Sequence, residues 1–579
     1  MGRLENSVHA HGLDHVILTD DVERWLRWMA RGLSLVVLVG AAYALIQFGA
    51  PRSHEYVAWE ETASIVALAV AGAGLVLAWI WEPTGAAIAL ISGVFVGTLA
   101  AYEYSLLIAL GVALLFLVPA TLFLLAWHRT QSWLSIIVVG TIMVVVLGAG
   151  GGVALAFYSE GHGPTHPESP LGALAPSEVL WAWSGGVTTS SAVVTANILS
   201  TQPVRLAYGP SPTLNDPGYV ASSLRGPVHR FDLEGLSEAT TYHYAVEVGG
   251  VIDEGRIGAF TTFTADPQDV TIAFASCART GSNGSVFDTI RDMEPDLFIS
   301  TGDFHYGDVL ENSLDAFADL YDLTLTEPAQ ARLYASVPIA YTWDDHDFGG
   351  NDAASDSPSR EAALVSYRTH VPHYEFGLTG IDAPIAQAFT IGRIRFILTD
   401  TRSARDPSAK PDGPGKTMLG DEQLAWFLTE MERSLADYPL VVWVSSVPWI
   451  AEAQSSADHW GGYANERERI AAAIAAMGHS DRLIMIAGDA HMLAIDDGTN
   501  NDYAPGGGAS FPVMQAAALD RNGSVKGGPY SEDVYPGGGQ FGLMEVTDDG
   551  AELQVRLRGL TWESDELVAL DLSISGVAP

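Results

Sequence analysis

Acidic, sulfur and imidazole side chains recur at the ends of apolar runs along this chain. In Ile299-Ser300-Thr301-Gly302-Asp303-Phe304-His305-Tyr306-Gly307-Asp308, the stretch Leu297-Phe298-Ile299 reads as a short buried strand and Thr301-Gly302 as the turn at its C-terminal end. That end is where α/β sheets bind ligands. The turn presents a carboxylate, Asp303, and a phenol, Tyr306, near enough in sequence to converge on one ion. Four more runs end in similar groups: Ala275-Ser276-Cys277, Trp343-Asp344-Asp345-His346-Asp347, Asp400-Thr401-Arg402 and Gly488-Asp489-Ala490-His491. Carboxylates and imidazoles gathered behind buried strands repel one another and resist desolvation unless cations compensate. Bound metal ions are the economical explanation.

Each group also has a plain structural reading. The sole cysteine, Cys277, excludes an intrachain disulfide, and a lone cysteine after a strand is more often inert core. Tyr306 could be simply packed. Asp308, Asp347 and Asp352 fit solvated turns, and His305 reads as incidental. Arg402 reads as fixing a loop by pairing with a carboxylate. The glycine-rich stretches 505–508 and 536–539 lack the Lys-Ser/Thr ending of a phosphate-binding loop and read as flexible.

The elements that would position these groups follow from the distribution of apolar residues. At 579 residues the chain needs several cores. Its 69 acidic against 29 basic residues give a formal charge of −40, which disfavours nucleic-acid binding and would repel an anionic substrate unless cations reversed the field locally. Five apolar stretches, 33–50, 62–81, 84–101, 105–127 and 133–157, approach the roughly 20 residues of a membrane span. The third, rich in Gly and Ala, is the weakest. Arg3, Arg24, Arg27 and Arg31 precede them without an Arg-Arg pair, so no cleaved leader is read. Five spans would place the N-terminus in the cytoplasm and the rest outside, although Arg52 then falls in an outer loop. Glu60, Glu61, Glu82 and Glu103 sit at span ends, which favours an anchor over a transporter; Gly72, Gly74, Gly93 and Gly97 suit helix packing.

Residues 159–173 read as a solvated linker, His162 and His166 included. Short β-rich runs from 174 to 264 predict a small antiparallel sandwich. From 269 to about 565, strands alternate with helices as in an α/β domain. The fold class is thus multi-domain: an N-terminal α-helical transmembrane bundle, a β-sandwich, and an α/β domain.

The ordered set Gly302-Asp303-x-x-Tyr306, Trp343-Asp344-Asp345-His346 and Gly488-Asp489-x-His491, with Asp400-Thr401-Arg402 and the run Lys416 to Trp426, resembles the calcineurin-like metallophosphoesterases, specifically PhoD-like alkaline phosphatases. Leu236 to Tyr244 resembles the turn and strand of a fibronectin type III-like domain, with Trp183 and Tyr242 in its core. The resemblance covers roughly 174–560 and not the N-terminal helices. It implies a two-sheet, four-layer catalytic domain in which Asp303 bridges two metal ions. Cys277, Tyr306 and His491 would complete the first site, where thiolate and phenolate donors suit Fe(III). Asp345 and Asp489 would hold the second ion, Ca(II) or alternatively Mg, Mn or Zn. Asp344, Asn351 and Arg402 are further candidates for that shell or its surroundings. His346 would meet the leaving or a non-bridging phosphate oxygen, and Arg279 would grip phosphate. The expected activity is hydrolysis of phosphate mono- or diesters by a water or hydroxide that the cations activate, from a domain anchored to the outer face of a membrane. The alternatives are an adhesion or scaffold protein with a relic domain, against which the complete ligand set argues, and a membrane sensor of phosphate esters. Oligomeric state is left open.

Overall fold

Uninterrupted apolar stretches give way, after about residue 160, to alternation of apolar and polar residues, and the structure changes with them. The computed structural model describes residues 21–41, 59–103, 106–128, 133–223, 226–516 and 518–575. They fall into two compact units, Met1–Gly163 and Pro164–Pro579.

The first unit is helical: α1 (21–41), α2 (Trp59–Leu77), α3 (Glu82–Glu103), α4 (Leu106–His128) and α5 (Trp133–His162). Among the described residues two helices, Glu82–Ala101 and Leu106–His128, are long and apolar enough to cross a membrane; Ile65–Leu77 and Leu147–Ser159 are apolar but shorter. The Gly/Ala-rich third run, the weakest by sequence, therefore yields one of the two. Its glycines carry the packing. A Cβ at Gly93 would lie 2.6 Å from that of Phe116, and one at Gly97 2.7 Å from that of Ala113, so small residues let α3 and α4 approach closely. Of the expected first span, residues 42–50 lie outside the described residues.

The second unit begins with eight strands: β1 (Val179–Gly185), β2 (Ser191–Ile198), β3 (Val204–Gly209), β4 (Gly218–Ala221), β5 (Val228–Glu234), β6 (Thr241–Val248), β7 (Val251–Ile252) and β8 (Gly258–Thr261). These are the runs expected to form a sandwich, but its two layers have different fates. Strands β3, β4, β6, β7 and β8 make a five-stranded sheet, whereas β1, β2 and β5 join a larger one. The join is a parallel pairing of β1 with β11 (Ile339–Tyr341), Gly185 opposite Ile339. The expected linker is also partly packed. Thr165 donates from N and Oγ1 to Asp520 Oδ1 at 2.9 and 3.1 Å, Ser285 N donates to Pro167 O at 2.9 Å, and His166 is buried.

The larger sheet has nine strands. Its centre is β9 (Val270–Ala275), β10 (Leu297–Ser300) and β11, mutually parallel. Facing it is a seven-stranded sheet containing β12 (Gln387–Ile391), β13 (Ile394–Leu398), β14 (Leu440–Ser445), β15 (Leu483–Ala487), β16 (Met492–Asp496), β17 (Val513–Ala516) and β18 (Val534–Pro536). Side chains two residues apart share a face. Phe274, Ile299, Phe396, Val442 and Ile484 therefore meet between the sheets. Ala273 and Phe298 turn to a helical layer with Phe287, Phe317 and Leu333. Val441 and Trp443 turn to another with Phe427 and Ile470. Strands covered on both faces must be apolar on both, hence continuous runs such as Leu440-Val-Val-Trp-Val. The nine-stranded sheet ends with β19 (Gln540–Asp548), β20 (Glu552–Thr561) and β21 (Glu566–Ser575), so it continues past the boundary expected at 565; β21 alternates polar and apolar residues because it is an edge.

Candidate metal centre

The parallel strands β9, β10, β11, β13, β14 and β15 all end on one side, and the polar residues after them meet there. Four of these residues hold left-handed backbone: φ is +62° at Cys277, +52° at Asp303, +69° at Asp489 and +51° at His491. Such conformations in non-glycine residues cost about 1–3 kcal/mol each and cluster at functional sites. Bonds between the loops hold them. Cys277 N donates to Gly302 O at 3.2 Å, Ala278 N to Asp303 O at 3.0 Å, and Asp520 N to Cys277 O at 3.2 Å. The glycine of each Gly-Asp pair is a matter of space. A Cβ on Gly302, at φ +108°, would lie 2.5 Å from that of Asp344, and one on Gly488 2.6 Å from Thr301 Oγ1.

Asp303 is the hub. Its Oδ2 faces Cys277 Sγ at 3.4 Å and accepts from Tyr306 Oη at 2.8 Å. Tyr306 Oη is 2.9 Å from His491 Nε2, whose Nδ1 is 3.0 Å from Asn522 O. Cys277, Asp303, Tyr306 and His491 thus surround one point. On the other side, Asp303 Oδ1, Asp344 Oδ2 and Asp489 Oδ2 are buried without hydrogen-bond partners, and ligand atoms of these three residues lie within 4.8 Å of one another. Three unpaired carboxylate oxygens turned toward one another out of water would cost several kcal/mol apiece as anions. The donor set fits a cation on each side of Asp303.

The electrostatics agree. Burial, reinforced by Asp303, raises the Cys277 thiol well above its usual range. Burial, then Asp303 and Cys277, do the same to the Tyr306 phenol. Burial, partly offset by His346 and reinforced by Asp345, pushes Asp303 up to about 8. Burial opposes charge on His346, but Asp345, Asp303 and Asp308 overcome it and push the imidazole up to about 10. Burial and crowding of acidic groups hold these protons, and metal ions would supply the positive charge that displaces them.

Other expected residues fall into different places. Asp345, expected at the second ion, turns Oδ1 to His346 N (3.0 Å) and Oδ2 to Asp352 N (2.7 Å). Its ligand atoms still group with Asp303 and His346, and with Asp352 and Asp458. Asp344, expected only at the margin, offers its unpaired oxygen directly. Arg402 is fully buried, donating from Nε to Asp344 Oδ1 at 2.6 Å and from Nη2 to Asp458 Oδ2 at 2.8 Å. Asn351 is exposed in the turn after the short helix Asp345–Phe348. Arg279, expected to grip phosphate, donates instead to Asp520 Oδ2 at 2.8 Å and to Glu168. Asp308 and Asp347 are not solvated turn formers. Asp308 Oδ1 lies 2.6 Å from His346 Nδ1, and buried Asp347 accepts from the backbone of Asp344 and His305 at 3.0 and 3.2 Å. His305 is core, edge-on to Tyr321. The stretch 536–539 is packed rather than loose: Gly539 N donates to Leu519 O and Trp562 N to Gly539 O, at 3.0 and 2.7 Å.

Sequence reasoning missed Lys526, whose Nζ donates to Asp489 Oδ1 at 2.6 Å, and Arg521, stacked over the Tyr306 ring at 4.2 Å. It also missed Asp458 and Ser446, whose Oγ donates to Asp344 Oδ1 at 2.6 Å. One signal was available: the chain has only three lysines, Lys410, Lys416 and Lys526.

Residues 272–523 match the PhoD-like phosphatase family and form a PhoD-like phosphatase domain. Residues 19–135 match a domain of unknown function (DUF7670). Alkaline phosphatase D of Bacillus subtilis (strain 168) is 26% identical over 317 residues, covering 46% of this chain and 54% of that protein, so the chain spans about half the length of that curated relative. A solved structure of PhoD superposes with a TM-score of 0.56 at 20% identity, over 68% of this chain and 90% of that one. At that identity the likeness is one of fold.

Proposed function

We propose that this chain is a metal-dependent phosphoester hydrolase, working on phosphate mono- or diesters at the centre built on Asp303. The observation that carries the reading is the inward set of unpaired oxygens, Asp303 Oδ1, Asp344 Oδ2 and Asp489 Oδ2. The PhoD-like match over 272–523 and the likeness to an alkaline phosphatase support the reaction class.

Cys277, Tyr306 and His491 with Asp303 would hold one ion, and anionic thiolate and phenolate donors suit Fe(III), which stabilises their deprotonated forms. Asp344 and Asp489, with Asp303 and Asp345 beside them, would hold the other; oxygen-only ligation suits Ca(II), with Mg(II), Mn(II) or Zn(II) as alternatives. Bound there, the pair supplies Lewis-acid polarisation of phosphate and of an attacking water. His346 keeps its proton through Asp308 and lies against the Tyr306 ring, centroids 4.1 Å apart, so it can give a proton to the leaving oxygen or neutralise a non-bridging one. Arg279, taken up by Asp520 and Glu168, steadies the loop after Cys277 rather than binding phosphate. Asn351 has no role in this scheme.

The helical unit would anchor the domain in a bilayer. Its surface exposes large apolar side chains, among them Val36 at 69%, Val144 at 72% and Leu107 at 80%, which suit lipid. The arginine-bearing N-terminus would lie in the cytoplasm and the catalytic domain outside. The strands of 179–261 pack two layers deep around Val194, Leu206, Phe231 and Val246, as a fibronectin type III-like module would.

The test is metal analysis with an absorption spectrum of the purified full-length protein, alongside hydrolysis of p-nitrophenyl phosphate and its bis-ester. Two ions per chain, a visible charge-transfer band and chelator-sensitive hydrolysis are expected. Turnover that survives complete metal removal would overturn the reading.

A further inference from the structure

Two cations on one loop border the carboxylate cluster, and neither belongs to the ligand set. The Lys526 ammonium donates to Asp489 Oδ1 at 2.6 Å, and its side chain is 40% exposed. It therefore stands between a buried carboxylate and solvent. Asp489 Oδ2 has no such partner, so the lysine takes one oxygen and leaves the inward one. Arg521 lies over the ring of Tyr306, the phenol that faces Asp303 and His491.

This loop is fastened to the site. Ser524 N donates to His491 O at 3.2 Å and Gly528 N to Ile450 O at 2.8 Å; Ser524 Oγ donates to Ala490 O at 3.0 Å. Gly527 has φ +74°, and a Cβ there would lie 2.2 Å from Ile450 O, so the residue after Lys526 can approach that backbone only as glycine. Fixing the main chain on both sides lowers the entropy lost when a long side chain is held in one place. The other two lysines are engaged elsewhere: Lys410 with Asp406 at 2.8 Å, Lys416 with Ser408 O and Gly462 O at 2.8 and 2.9 Å.

We propose that Lys526, with Arg521 on the same loop, is an anion clamp that biases the centre toward phosphomonoester dianions over diester monoanions. The inference deepens the phosphoesterase reading and rests on it for the word ester. An ammonium is a compact point charge that suits a terminal phosphate oxygen, and charge-assisted bonds are the strong ones. A monoester offers an additional anionic oxygen; in a diester that position carries a second organic group. On a chain this acidic, fixed positive charge next to the carboxylate cluster also offsets repulsion of the substrate.

The test compares the metal-loaded full-length protein with its Lys526→Ala and Lys526→Arg variants. It measures kcat/KM for p-nitrophenyl phosphate and bis(p-nitrophenyl) phosphate, metal content, and calorimetric binding of inorganic phosphate. Lys526→Ala is expected to lower the monoester-to-diester ratio about tenfold or more, chiefly through KM, and to weaken phosphate binding comparably. Metal content should stay the same, and Lys526→Arg should recover part of the loss. Equal losses on both esters, loss of metal with the side chain, or no change would each overturn the clamp. If the wild type cleaves neither ester but binds phosphate in a Lys526-dependent way, the clamp stands and the hydrolase reading falls. If the wild type binds no phosphate, the clamp falls whichever ester is cleaved.

Discussion

His346 Nδ1 and Asp308 Oδ1 lie 2.6 Å apart, which keeps a proton on an imidazole that burial alone would strip. If protonated His346 serves the leaving oxygen, activity declines as pH rises through the pKa of an imidazole that the neighbouring carboxylates, Asp308 among them, hold above its usual range. Asp308→Asn removes one of them, so the alkaline limb of kcat/KM should move to lower pH by on the order of one unit. A pH–rate profile of the two proteins checks this; an unmoved limb removes His346 from the acid role.

Above neutrality, chelated protein should lose stability as pH rises. A carboxyl raised from 3.8 to about 8 in the folded state, as Asp303 is, binds its proton more tightly folded than unfolded, so the stabilisation is present at acid pH and lost between about 4 and 8. His346, raised from 6.5 to about 10, stabilises below 6.5 and loses that contribution up to about 10. Both windows run the same way, together worth several kcal/mol to an order of magnitude. Thermal unfolding at pH 7 and pH 9, above the range in which buried His305 and His373 titrate with the opposite sign, should show a drop in the chelated protein that metal loading abolishes.

Arg402→Met should be severely destabilising. It leaves Asp344 as a buried carboxylate without its guanidinium and half-buried Asp458 with Arg405 alone, a loss of about 3–5 kcal/mol. Arg402→Lys recovers little, since one ammonium cannot replace a fork that reaches both residues. Denaturant titrations of the three proteins give the ordering.

Asp303→Asn should abolish hydrolysis, by on the order of 10²–10³-fold or more, and lower the metal content on both sides of residue 303. Cys277→Ser should retain the second ion and lose the visible band expected of a thiolate on ferric iron. Elemental analysis and absorption spectra separate the two variants.

If the helical unit anchors the chain as proposed, protease added to right-side-out membrane vesicles should digest residues 164–579 and spare an N-terminal tag. The reverse pattern in such vesicles would invert the topology.

The ligand-bearing turns were legible in the sequence because their chemistry restricts the local residues. Gly302 and Gly488 are there because neighbouring loops leave no room for a side chain, and the aspartates that follow have no purpose in a core without a cation. Which of two adjacent carboxylates points inward was not legible. Asp344 and Asp345 differ only in the direction the chain takes as the Asp345–Phe348 helix begins, and contacts far away in sequence, with Arg402 and Ser446, set that direction. Lys526 belongs to no motif and comes into place through backbone bonds to His491 and Ile450. The burial of His166 was equally hidden, because Trp562, which helps cover it, lies at the far end of the chain.

Gly185 lying opposite Ile339 has a practical outcome for anyone wishing to shorten this protein. A fragment started near residue 269 would strip β11 of its neighbour and lay bare a row of unsatisfied peptide groups, an invitation to aggregation. It would also remove the indole of Trp183 from beside Phe304, opening a hole one residue from Asp303. The smallest soluble catalytic piece should therefore begin ahead of residue 179.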